Sequence, residues 1–477
     1  MRLMTRNKVF QASTILWVLF FCYTVFAAII FQKMLLPLFP GLHAGQGVMS
    51  NDAQVFHQTA LVLADQIREQ GWSRWAIWPS ASSGGNVAVL AALYVFFKPD
   101  PTLIIPVNAI LHASGALLIF LMGCKLWSGR PGFYGGIVAA LLFIVYPSSL
   151  NWYGQIHKDG YSILGILLTL YTWVVWKSGQ QGIRASVWLF IWSVIGSGLI
   201  AFVRPHYLPL LGAQLAIVWV LLLVHILWKR GSVLRHLTGL LGIAAVLIVF
   251  QVVSLWISNA EVRVVSSWVS ESDIKKQTLP SARIDERVDN LSFKIKHGKQ
   301  YCPYARTWQW KDSLLLPGLF DNALKKMSTL RMISACTAYT ARSTLDQDLV
   351  PDDAISMIQY MPRALQITLW GPFPNTWFKQ LSITRLVGWL EIIGWYLLAP
   401  GVVMLLWYRR SPAIIMVLIF TIGFLTVYSY VTPNLGTLHR LRYPFILLLM
   451  LLGAIGWFRV ALGYFHLRRS ARVKDAA

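Results

Sequence analysis

Long apolar runs broken by short polar connections set the pattern of this chain. A bilayer core of roughly 30 Å takes about 20 apolar residues as helix. Runs of that length predict spans near 9–31, 103–124, 132–150, 160–177, 186–203, 207–228, 236–257, 386–408, 412–431 and 443–463. One more apolar stretch, GGNVAVLAALYVFF (Gly84–Phe97), is too short to cross and predicts an interfacial or re-entrant helix. Between it and the first span, SNDAQVFHQTALVLADQIREQGW (Ser50–Trp72) repeats Phe56, Ala60, Leu63, Ala64 and Ile67 at helical spacing. Gln54, Gln58, Asp65, Arg68 and Glu69 take the other faces, as in an amphipathic helix lying in the membrane interface.

Composition supports an all-α polytopic membrane protein. Of 477 residues, 56% are hydrophobic and 13% charged, about half the charge of a soluble domain. The first apolar run lacks a small-residue cleavage site and reads as a retained span. Trp152, Trp228, Trp256 and Trp407 fall near span ends, as interfacial belts require.

A formal charge of +23 raises the possibility of nucleic acid, which the distribution of charge excludes. Outside one long loop, most basic residues sit in short connections: Arg2, Arg6 and Lys8; Lys125 and Arg130; Lys177 and Arg184; Lys229, Arg230 and Arg235; Arg409 and Arg410; and the tail after Arg468. With ten spans all of these share one side with both termini, which the positive-inside rule makes cytoplasmic. Counting Gly84–Phe97 as a span breaks that parity. Three regions are then expected: 1–257 with its first outward loop at 32–101, a long outward loop at 258–385, and a C-terminal helical region at 386–477. The end of the long loop, Tyr360–Phe378, is apolar and aromatic and is expected to lie back on the membrane.

The outward face collects the candidate chemistry. Asp52 opens the amphipathic helix, where an acid is also a favoured cap. Asp159 follows His157 and Lys158 in a later turn, where it either caps the fourth span or marks function, since ionisable groups at membrane depth are expensive. Arg204 and His206 end the fifth span, and His439, Arg440, Arg442 and Tyr443 open the last one. Arginine suits planar recognition of phosphate oxygens. Two such turns beside two acids can bind an anionic group and deprotonate a hydroxyl; the alternative is snorkelling to headgroups.

Other signals are weaker. His112, in mid-span, reads as a satisfied core histidine, and Glu391 as a buried pair partner or an interfacial residue. Cys22 and Cys124 fall in spans as packing residues. Cys302 and Cys336 share the long loop and can pair if it faces an oxidising compartment. Zinc-type Cys/His spacing, a P-loop, a Rossmann fingerprint and a G-x-S-x-G elbow are all missing, which favours a lipid-borne substrate over a cytosolic nucleotide.

NDAQVFHQTA (Asn51–Ala60) after the first span, HKDGY (His157–Tyr161) in a later outward turn, and LRYP (Leu441–Pro444) opening a late span together resemble the GT-C class of membrane glycosyltransferases. The similarity is to bacterial members near the protein mannosyltransferase and aminoarabinose transferase family, and it rests on the order and sidedness of short motifs. It implies transfer of a sugar from a polyprenyl-phosphate donor to a glycan, lipid or protein acceptor at the periplasmic face of a bacterial inner membrane. By position Asp52 corresponds to the family's catalytic acid. Arg204, His206, Lys158, Arg440, Arg442 and Tyr443 would hold the lipid phosphate, His57 and His157 would support the acceptor, and Asp159 would orient Lys158 or the acceptor, or join Asp52 around a divalent cation. Some members use a divalent metal and others none; the first loop here lacks paired acids, so no cofactor is assigned.

A polysaccharide polymerase or ligase shares the lipid-phosphate chemistry but concentrates Arg and His in a late loop. A flippase of an anionic lipid predicts inverted repeats, and no repeat is visible. A scaffold leaves the two Arg-bearing turns unexplained.

Overall fold

The computed structural model describes residues 6–50, 52–79, 83–178, 183–228, 241, 244–248, 308–313, 316–337, 343–377 and 383–475. Among these the protein is helical, with isolated bridges in place of strands. Seven helical segments are long and apolar enough to cross a membrane: Asn7–Leu38, Pro101–Leu126, Asp159–Lys177, Ile183–Val203, Leu386–Tyr408, Pro412–Val431 and Leu435–Tyr464. The chain is an all-α polytopic membrane protein.

One expected span is broken. In place of a continuous 132–150, α5 (Arg130–Val145) and α6 (Pro147–Tyr153) meet at 64°. Pro147 is the cause, because a residue preceding proline is pushed out of the helical region, and Tyr146 has ψ 125. The range 207–228 forms α9 (Leu208–Trp228), and the expected span 236–257 lies outside the described residues except at 241 and 244–248, which are helical.

The chain divides into two compact units. The first comprises Met1–Leu279, Leu398–Phe420 and Leu447–Ala477; the second comprises Pro280–Leu397 and Thr421–Ile446. In the first, α1 (Arg6–Ile30) and α5 pack on α4 (Ile105–Leu126), and α4 also meets α7 (Asp159–Ser178), which pairs with α8 (Ile183–Val203). Small residues let the backbones close up: a Cβ at Gly165 on α7 would stand 2.3 Å from the Gly196 carbonyl on α8. His112 is the satisfied core histidine expected, with Nδ1 3.0 Å from Thr24 Oγ1 and Nε2 3.1 Å from the Phe143 carbonyl.

The amphipathic helix forms as α2 (Asp52–Gln70), and all five of its predicted apolar positions are buried. They do not lie bare in the interface. They pack on α3 (Gly85–Phe96) through Val87, Leu90, Ala91 and Tyr94, with Ile104 and Ile156 completing the cluster. The stripe is satisfied by protein because the second short apolar helix offers a matching face.

In the second unit, α10 (Gly318–Thr337) and α11 (Ala354–Trp370) fold the described part of the long loop. Asp353 caps α11, accepting from Ser356 N at 2.6 Å in a reciprocal capping box. Arg331, 1% exposed, donates to the Leu349 carbonyl, the Asp346 carbonyl, Tyr360 Oη and the Tyr430 carbonyl, tying the loop to the end of α13 (Pro412–Val431). Burial lowers its pKa, opposed by Tyr360 and Asp346. The remaining helices are α12 (Ile383–Tyr408) and α14 (Leu435–Asp475).

Candidate active site

Asp52 is exposed at the start of α2, and the loop leading to it is held from behind. Residues 43–49 turn back on themselves: the Ala44 amide donates to the Val48 carbonyl at 2.8 Å, and the Gly47 amide donates to His43 Nε2 at 3.0 Å. Gly47 has φ +80, and a Cβ there would stand 2.9 Å from the Gln32 carbonyl, so only glycine fits. Gln155 grips this turn from a distant segment. Its Nε2 donates to the Gly47 carbonyl and its Oε1 accepts from the Met49 amide, each at 2.9 Å. Gln32 Nε2 donates to the Gly154 carbonyl at 2.7 Å, and Asn108 Nδ2 donates to the Gln155 carbonyl at 2.8 Å. Three buried amides thus fix the loop before Asp52 to the turn that carries His157, Lys158 and Asp159.

The same turn meets α2 directly. Phe56, one helical turn after Asp52, sets its ring edge-on to His157 at 6.5 Å, and Lys158 Nζ stands 5.2 Å from the Phe56 ring centre. Lys158 Nζ also donates to the Ser83 carbonyl at 3.4 Å, just before α3. Asp159 opens α7 and is 2% exposed. Arg204, between α8 and a short 3-10 turn, donates from Nη2 to Asp159 Oδ1 at 2.8 Å and from Nη1 to Tyr207 Oη at 2.7 Å. The first unit therefore joins Phe56 of α2 to His157 and Lys158, and Asp159 of the same turn to Arg204. His206 is exposed, with its ring edge-on to Tyr207 at 4.8 Å.

His57 is turned toward α3, where Nδ1 lies 2.8 Å from Tyr94 Oη. Burial lowers its pKa, with Asp100 acting in the opposite sense. That contact fastens α2 to α3.

His439, Arg440, Arg442 and Tyr443 belong to the second unit, on the first turns of α14. Arg442 is 3% exposed and donates from Nη1 to the Thr368 carbonyl at 2.6 Å. Its Nη2 lies 3.0 Å from His439 Nδ1, while His439 Nε2 lies 2.5 Å from Glu391 Oε2. A guanidinium only donates, so Nδ1 supplies a lone pair and the proton sits on Nε2, facing the carboxylate. Glu391 is thereby a buried pair partner, 3% exposed.

Cys336 is disulfide-bonded, and Cys302, its expected partner, lies outside the described residues. Cys22 and Cys124 are free. Among the described residues no group of three or more His, Cys, Asp or Glu side chains is placed to hold a metal ion.

Sequence reasoning missed Gln155, Gln32 and Asn108, because a buried amide carries no periodic signal. It also missed Tyr207 as a partner of Arg204, although the spacing Arg-Pro-His-Tyr lies in plain view.

No protein-family model matches the chain, and no curated protein does. Among solved structures the fold is similar to ArnT from Cupriavidus metallidurans bound to undecaprenyl phosphate, at 12% identity and a TM-score of 0.49, over 93% of this chain and 60% of that one. It is also similar to the archaeal oligosaccharyltransferase AglB from Archaeoglobus fulgidus in complex with an inhibitory peptide and a dolichol-phosphate, at 14% identity and a TM-score of 0.45. That likeness covers 97% of this chain and 52% of AglB. The chain spans less than two thirds of either protein, and likenesses of this degree carry no argument about activity.

Proposed function

We propose that this protein is a membrane glycosyltransferase that moves a sugar from a polyprenyl-phosphate donor to a hydroxyl of a glycan, lipid or protein acceptor. The observation that carries this reading is that α2, which opens with the exposed carboxylate of Asp52, packs through Phe56 on a turn rich in cations. Phe56, one turn further along the same helix, touches His157 and Lys158, and Asp159 and Arg204 adjoin them. The order of the three short motifs in the sequence supports it from a separate direction.

In this mechanism Asp52 takes the proton of the acceptor hydroxyl as that oxygen attacks the anomeric carbon. The bond from that carbon to the phosphate oxygen breaks, and its electron pair leaves with the lipid phosphate. A single displacement inverts the anomeric centre. Lys158 and Arg204 stabilise the departing charge, which acts where charge develops and so favours the transition state. General-base action contributes about 10²- to 10⁴-fold. The positive-inside bias of the sequence supports cytoplasmic termini and, with them, a site on the periplasmic face of a bacterial inner membrane.

The test is transfer by purified protein from undecaprenyl-phosphate sugars to a panel of acceptors, with Asp52→Asn alongside. The variant is expected to lose at least about 10²-fold. Full activity in Asp52→Asn would sink the general-base assignment. Passage of lipid across vesicles without a new glycosidic bond would put a flippase in its place.

A further inference from the structure

The N-terminus of α3 is pressed against the end of α8. A Cβ on Gly84 would stand 2.9 Å from the Val203 carbonyl, and one on Gly85 would enter the Phe202 ring at 2.2 Å. This fit brings Asn86 beside the residue that precedes Arg204. Asn86 is 1% exposed, and neither its Nδ2 nor its Oδ1 has a hydrogen-bond partner. Among the described residues no other side chain leaves two buried polar atoms unmet. Its Oδ1 is turned back toward Gly84, 3.4 Å from the position a Cβ would take there. Across Phe202 lies Tyr161, its ring 5.6 Å away, 5% exposed and with an Oη likewise unmet. Lys158, whose ammonium donates to the Ser83 carbonyl, borders this cluster and is partly exposed.

Unmet buried polar groups are costly and uncommon in folded proteins. An amide offering one donor edge and one acceptor edge matches two neighbouring hydroxyls, and a phenol matches a third. We propose that Asn86 and Tyr161 recognise the hydroxyl groups of the donor sugar and set which sugar is transferred. This inference rests on the transferase reading above and adds the residues that read the sugar.

Two measurements separate a ligand role from a structural one. The first is thermal unfolding of the intact protein in detergent, with Asn86→Leu and Tyr161→Phe. Both variants replace an unmet polar group by an apolar one of similar shape, so both are expected to melt at or above the wild-type temperature. A clear drop in either would assign that group to the fold and overturn the proposal.

The second is binding of undecaprenyl phosphate, bare and carrying glucose, galactose or mannose, to protein in nanodiscs. Wild type is expected to prefer at least one sugar-bearing lipid by about tenfold, the worth of one or two hydrogen bonds. Asn86→Leu and Tyr161→Phe should erase that preference while keeping the affinity for the bare lipid. A preference that survives in both variants overturns this inference and leaves the transferase reading standing. Wild type that binds none of the lipids overturns the transferase reading itself, and wild type that binds them all equally overturns only the inference.

Discussion

Arg204 and Asp159 are joined at 2.8 Å across 45 residues of sequence, with the carboxylate side chain 3% and the guanidinium side chain 11% exposed. The pair closes the junction between the start of α7 and the end of α8. Burial makes it costly to form and more costly to break, because either partner left alone is an uncompensated charge. A function in binding has to coexist with that constraint.

Removing one partner is therefore expected to destabilise strongly. Arg204→Ala or Asp159→Ala should cost about 3–5 kcal/mol, and Asp159→Leu combined with Arg204→Met should recover most of it. Unfolding in detergent followed by tryptophan fluorescence reads this. Transfer activity is expected to stay lost in the apolar double variant, which distinguishes the chemical role of the pair from its structural one.

Gln155 is a positioning residue for Asp52. Gln155→Ala removes both bonds to the 43–49 turn, and hydrogen exchange at the Ala44, Val48 and Met49 amides should quicken. Transfer is expected to fall about tenfold, since small misplacements at a reacting group are expensive. Unchanged exchange in that turn would show that Gly47 and the neighbouring bonds hold it unaided.

Stability should fall on acidification, through two groups around α2 and α3. Burial lowers the His57 pKa, with Asp100 opposing, so the unfolded chain binds a proton more readily than the folded one. Asp100 is desolvated, which raises its pKa, but bonds from Thr102 and Lys33 outweigh that and bring it below the usual carboxylate range. For both, the folded value is depressed. Their contribution is complete above the unfolded pKa values of roughly 6.5 and 3.9 and is lost as pH falls through the folded ones. Melting temperatures compared from neutral to acidic pH should therefore decline, and His57→Gln should flatten the upper part of that decline.

In the second unit, Glu391→Ala should cost about 3–5 kcal/mol by removing the anion at the end of the His439–Arg442 chain. Nitrogen NMR of the imidazole should find His439 neutral with its proton on Nε2. Detection of the proton on Nδ1 would contradict the geometry, since Arg442 cannot accept it.

Much of the architecture was legible in the amino-acid order. Spans of about 20 apolar residues announce themselves, and the period of Phe56, Ala60, Leu63, Ala64 and Ile67 announces α2. The break at Pro147 was less visible, because the apolar composition runs on through it while the backbone does not. The candidate acids and cations could be named from their positions at span ends. Their partners could not. Arg442 looks from sequence like a cation open to a phosphate, yet its guanidinium is engaged by Thr368 and His439.

The sequence by itself determined an all-helical membrane chain, the short helices after the first span, and the positions of Asp52, Asp159 and Arg204 at helix ends. Hydropathy and helical period are local properties, and every residue contributes to them in place. Only the tertiary structure decided that Arg204 closes on Asp159, that Gln155 grips a turn 108 residues away, and that Asn86 is buried with both its polar atoms unmet. Those relationships depend on how closely helices approach, and they are set by glycines and buried amides that leave no trace in a hydropathy profile.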